Sequence, residues 1–147
     1  MKTLNFTTFI NAPREKVYKV MLEDATYRKW TEVFCPGSYY KGDWSEGSRI
    51  IFLGPDPKTG EEGGMVARIA KNTPNEYVSI EHLGEIKNGV EDLWPDGKGG
   101  FENYTFVEKD GGTEVEVELT NLPDEYAAMF DDMWPKALTA LKDLVEN

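Results

Sequence analysis

The side chains best suited to chemistry are few, and His82 heads them as the only histidine in the chain. A lone imidazole can act as acid or base near neutral pH, or can orient a ligand through a hydrogen bond. Within Tyr77 to Leu83 it shares a strand face with Val78 and Ile80, which directs it toward an interior, whereas Glu81 takes the opposite face. The adjacent Glu81 and His82 therefore cannot serve one pocket, and no Ser–His–Asp arrangement can be read from spacing. Two readings of His82 stay open: a core histidine satisfied by Tyr104 or by backbone, and a group that handles a ligand or a proton with Tyr104 as hydrogen-bond donor. A guanidinium at Arg49 or Arg68 could hold a ligand carboxylate. Ile50 and Phe52 share a side that leaves Arg49 on the solvated one, and Arg68 stays open. Cys35 has no histidine or lysine beside it to depress its thiol and reads as loop packing. One Cys and one His far apart give no metal-ligand spacing, so neither metal nor other cofactor is expected. Gly97-Lys98-Gly99-Gly100 lacks the upstream glycine and the following Ser or Thr of a phosphate loop and reads as a turn.

Such residues need a scaffold, and 147 residues suffice for a single domain, residues 1–147, with one real core. The formal charge of −11 counts against phosphate backbones and anionic lipid surfaces, so nucleic acid is not an expected partner. A hydrophobic fraction of 39% with 12% aromatic residues separates the chain from acidic disordered tails. The start alternates polar and apolar residues instead of carrying a signal-peptide run, and no stretch approaches the ~18 apolar residues of a membrane span. With a single cysteine, this composition fits a reducing cytoplasm without membrane insertion.

Leu4, Phe6, Thr8 and Ile10 alternate as a strand, and Asn11-Ala12-Pro13 leads into a helix carrying Val17, Tyr18, Val20, Met21 and Leu22. Asp24 is placed to cap a second short helix holding Tyr27 and Trp30. Residues 39–44, 48–53, 64–71, 76–83, 101–108 and 113–120 read as six more strands, with a hairpin at Lys109-Asp110-Gly111-Gly112. Residues 84–100 read as one long loop and a candidate lid. A helical period from Tyr126 to Val145 closes the chain, with a kink or two abutting helices expected at Pro135.

This order, with Asn11-Ala12-Pro13 leading to Val17-Tyr18, then Trp30-Thr31, Glu46-Gly47-Ser48-Arg49-Ile50, Glu81-His82-Leu83-Gly84 and Met133-Trp134-Pro135-Lys136-Ala137-Leu138, resembles the activator-of-heat-shock-protein-ATPase-homologue branch of the START-like (SRPBCC) superfamily. Its bacterial members are mostly stand-alone domains. The resemblance covers nearly the whole chain and implies an α+β helix-grip fold, a seven-stranded antiparallel sheet curved around the last helix. Fold alone does not set function in a superfamily that includes lipid carriers, cyclases and stress proteins. The fold implies an apolar cavity between sheet and helix, and Met65, Met129 and Met133 with Trp30, Phe34, Tyr40, Trp44, Phe52, Tyr104 and Trp134 are residue types that could wall it, His82 adding a polar point. The same side chains would equally serve as ordinary core.

The expected activity is non-enzymatic binding of a small hydrophobic or amphipathic ligand of lipid, polyketide or isoprenoid type. The alternative is a cavity enzyme, cyclase or hydrolase, with His82 as acid–base. A chaperone co-regulator ranks last, because the first strand begins almost at Met1 and leaves no room for the activator's separate amino-terminal domain. A homodimer is left open.

Overall fold

The computed structural model describes residues 2–56, 58–95 and 98–147. Alternation at period two sets the strands β1 (Lys2–Ile10), β2 (Tyr39–Gly42), β3 (Arg49–Pro55), β4 (Glu62–Thr73), β5 (Tyr77–Lys87), β6 (Val90–Leu93), β7 (Phe101–Lys109) and β8 (Gly112–Leu122). Helices α1 (Arg14–Leu22) and α2 (Asp24–Trp30) follow β1, and α3 (Asp124–Glu146) ends the chain. Seven strands form an antiparallel sheet, as expected; their order is β1-β8-β7-β5-β4-β3-β2, and β6 adds an eighth beside β5.

Part of the segment expected as a loop, residues 84–100, is thus a hairpin. β5 continues to Lys87, and Asn88 and Gly89 take φ of 51° and 79°, the left-handed pair that returns a strand in two residues. Asp110 and Gly111 do the same between β7 and β8, at φ of 48° and 81°. Of the glycine-lysine run read as a turn, Gly97 lies outside the described residues, as does the middle of the remaining loop.

Register puts one set of side chains on a single concave face. Phe6 pairs with Val117, Val117 with Tyr104, Tyr104 with Val78, and Glu102 with Ile80; farther on, His82 pairs with Ala67, Ala67 with Ile50, Met65 with Phe52, and Phe52 with Tyr40. A bulge at Leu83, where Val66 pairs with Gly84 and Ala67 with His82, shifts the ladder beside the histidine. Against this face α3 lays Trp134, Ala137, Leu138, Leu141 and Val145, all buried.

Two local expectations are corrected. Of the two outcomes expected at Pro135, a kink or two abutting helices, the second is overturned: α3 is one helix from Asp124 to Glu146. The proline and Asp131, whose carbonyl it leaves without an N–H, are on the solvent side, while Trp134, Ala137 and Leu138 hold the opposite side to the sheet. Asp24 makes no cap bond. It is the first residue of α2, and its Oδ1 accepts from Arg28 Nε at 3.1 Å, one turn on.

Candidate functional site

On β7, Glu102, Tyr104 and Phe106 alternate onto the concave face, so a carboxylate stands in a row that is otherwise aromatic. The Tyr104 hydroxyl donates to Glu102 Oε2. From the next strand, His82 Nε2 lies 3.5 Å from Glu102 Oε1, each side chain about one-fifth exposed. His82 Nδ1 is buried without a hydrogen-bond partner among the described residues. Tyr27 reaches the same region from α2. Burial pushes its phenol well above the ordinary tyrosine value, and the charges of Glu102 and Tyr40 add to the effect. Burial does the same to Tyr104, reinforced by Glu102 and Tyr27. Both phenols stay neutral; Tyr104 donates to Glu102, and Tyr27 senses the same carboxylate through its charge.

An aromatic wall adjoins this cluster. Trp134 packs its ring 6.1 Å from that of Tyr104, 5.8 Å from Trp30 and 5.1 Å from Phe34, and Phe34 in turn meets Phe130 at 6.2 Å. Tyr27 connects Trp30 at 5.5 Å to Tyr40 at 5.0 Å and Phe52 at 6.1 Å. Trp30 and Trp134 are buried, whereas Phe34 and Phe130 are half-buried at its outer rim, and Met133 is half-buried three residues along α3 from Phe130. Two open clefts, of about 220 and 250 Å³, lie elsewhere: one on the convex face beside Asn103, Glu116 and Glu118, the other between β1 and α3 beside Phe6 and Pro135.

The residues singled out from sequence divide into groups. His82, Tyr104, Trp30, Phe34, Trp134 and Met133 border the polar cluster or its wall. Tyr40 and Trp44 send their polar atoms elsewhere: the Tyr40 hydroxyl and Trp44 Nε1 both donate to Leu22 O, at 2.7 and 3.0 Å, closing the last turn of α1. Phe52 and Met65 pair across β3 and β4 on the same face. Met129 points outward and is 41% exposed. Arg49 is exposed and paired with Glu91, and Arg68 with Glu81 at 2.8 Å, so both guanidiniums belong to the convex surface. The Cys35 thiol donates to Pro55 O at 3.0 Å, consistent with loop packing. Glu102, Tyr27 and Phe130 were not among the sequence candidates. Glu102 carried a visible signal, a charged residue on the period-two face of Tyr104 and Phe106; Tyr27 is brought in only by the packing of α2.

Among the described residues, no three His, Cys, Asp or Glu side chains converge as metal ligands. No helix among them is long and apolar enough to cross a membrane.

The family model described as Activator of Hsp90 ATPase homolog 1-like protein matches residues 11–146. The chain belongs to this family. Its fold recurs in solved structures. The Aha1 dimer from Colwellia psychrerythraea superposes with a TM-score of 0.74 at 22% identity, over 99% of this chain and 97% of that one. A Cytophaga hutchinsonii protein gives 0.71 at 23% identity, over 100% and 95%. A Chromobacterium violaceum protein gives 0.70 at 20% identity, over 100% and 99%. At such identities the likeness of this Activator of Hsp90 ATPase homolog 1-like chain to its neighbours is one of START-like helix-grip fold. Compared with curated proteins, its sequence finds no match.

Proposed function

We propose that this chain, acting as a single domain, binds a small apolar or amphipathic molecule between the sheet and α3. The ligand's tail would lie on the aromatic wall and its polar end at Glu102, Tyr104 and His82. The observation that carries this reading is the inward carboxylate. A partly desolvated charge in an aromatic row is unfavourable for a core built only for stability, and it is the kind of convergent polar group that orients a ligand in an apolar site. Entry requires Phe34, Phe130 and Met133 to swing outward, which half-buried side chains on the rim do readily. Native mass spectrometry of freshly purified protein, with titration of a panel of fatty acids, alcohols, amines and aromatic compounds, tests it. A bound species, or micromolar affinity for a panel member, is expected; no bound species and nothing tighter than millimolar would overturn the reading.

A second reading, a cavity enzyme of cyclase or hydrolase type, draws support from the same cluster. His82 would be the acid–base, Glu102 the group that orients its ring and Tyr104 a hydrogen-bond donor. Chemical conversion of a bound compound, lost in His82→Gln with binding retained, would favour it over simple binding.

The described dimer of the Colwellia relative supports a homodimer here as well. A monomeric mass by light scattering across the micromolar range would rule it out.

A further inference from the structure

We infer that the polar end of the ligand is a cationic hydrogen-bond donor, an organic ammonium group on an apolar tail, and that carboxylates are disfavoured. This rests on the ligand-binding reading and specifies its chemistry. Glu102 is the acidic group of the concave face at this point, and its partners among the described residues are the Tyr104 hydroxyl on Oε2 and His82 Nε2 at 3.5 Å from Oε1. No lysine or arginine pairs with it among the described residues; the arginines of the adjacent register row, Arg49 and Arg68, are tied to Glu91 and Glu81 on the other face. A partly buried carboxylate without a permanent countercharge is stabilised by any cation that reaches it and repels any anion that does.

The surroundings favour the same sign. The rings of Tyr27, Trp30, Trp134 and Tyr104 follow one another at centroid distances of 5.5, 5.8 and 6.1 Å, and aromatic faces attract ammonium groups. The phenols of Tyr27 and Tyr104 are held neutral partly by the Glu102 charge, so they add no competing negative charge. The chain's net charge of −11 attracts cations over a longer range, but this general effect is screened by salt, whereas the local one persists at contact.

The test keeps the tail constant and varies the head: octylammonium, octanol and octanoate are titrated into the full chain by calorimetry, at low salt and at about 1 M, where the Debye length is ~3 Å. Each is repeated with Glu102→Gln and with Glu85→Gln, which removes the same charge from an exposed position on β5. Octylammonium is expected to bind at least about tenfold more tightly than octanoate at both salt concentrations. That ratio should fall about tenfold in Glu102→Gln and stay unchanged in Glu85→Gln. Octanoate binding as tightly as octylammonium to the wild type, or equal losses in the two variants, would overturn the inference while leaving ligand binding intact. Binding by none of the three, octanol included, would instead remove the ligand-binding reading beneath it. Should Glu102→Gln not unfold cooperatively, the wild-type ranking at high salt decides.

Discussion

His82 Nε2 and Glu102 Oε1 stand 3.5 Å apart across β5 and β7, although the two residues are 20 positions apart in sequence and neither pairs with the other in the strand ladder. Glu102 is opposite Ile80, and the histidine reaches it diagonally from two residues farther along the same face. The diagonal leaves Oε2 to Tyr104 and makes one carboxylate the meeting point of two strands.

Removing the Tyr104 hydroxyl should therefore cost stability out of proportion to its size. Tyr104→Phe keeps the buried ring but deprives a carboxylate of a charge-assisted bond, a loss of about 1–2 kcal/mol. Tyr39→Phe, whose hydroxyl donates to Glu62 on the surface, should lose less than about 0.5 kcal/mol. Urea denaturation at unchanged slope gives both values, and equal losses would deny Glu102 its role as acceptor.

The buried phenols also set an alkaline limit. Tyr27 and Tyr104 have raised values in the fold, so above about pH 10 the unfolded chain sheds their protons first and binds fewer than the native one. Their contribution is complete below the unfolded value and is lost as pH rises beyond it. Thermal unfolding from pH 8 to 11 should show a falling midpoint, and Tyr27→Phe should flatten the fall. An unaltered slope in that variant would mean Tyr27 ionises as an exposed phenol does.

On α3 the two faces should respond differently. Trp134→Ala removes contacts with Phe6, Trp30, Phe34 and Tyr104 and should destabilise by roughly 3–5 kcal/mol. Met129→Ala, on the exposed side, should stay within about 0.5 kcal/mol. Comparable melting shifts in the two variants would contradict the orientation of the helix.

Met133→Trp probes the rim. The half-buried position lets a larger ring extend over the aromatic wall, so stability should hold while affinity for octylammonium falls. Overpacking of a closed core would instead cost roughly 1–3 kcal/mol, and a drop of that size in thermal unfolding would mark the wall as core alone.

Sequence by itself determined the strand faces and the order of the elements other than β6, because both depend on local periodicity: Val115, Val117 and Leu119 against Glu114, Glu116 and Glu118 on β8, or the apolar stripe from Tyr126 to Val145; the family was legible as a resemblance in short motifs such as Asn11-Ala12-Pro13 and Met133-Trp134-Pro135. It also carried the Asn88-Gly89 turn, whose chemistry is local even though β6 went unrecognised. It could not join His82 to Glu102, since which inward residues meet depends on strand order and on the bulge at Leu83, both products of long-range pairing. Nor could it choose between one helix and two abutting ones at Pro135: the continuity of α3 follows from Trp134, Ala137 and Leu138 holding it to the sheet while the proline and the carbonyl it frees face water. Tyr40 and Trp44 looked like pocket walls by type, and only the fold brought the end of α1 within reach of their polar atoms. Residue type and period fix which face a side chain takes, whereas its partner is chosen by whatever tertiary packing carries to that face.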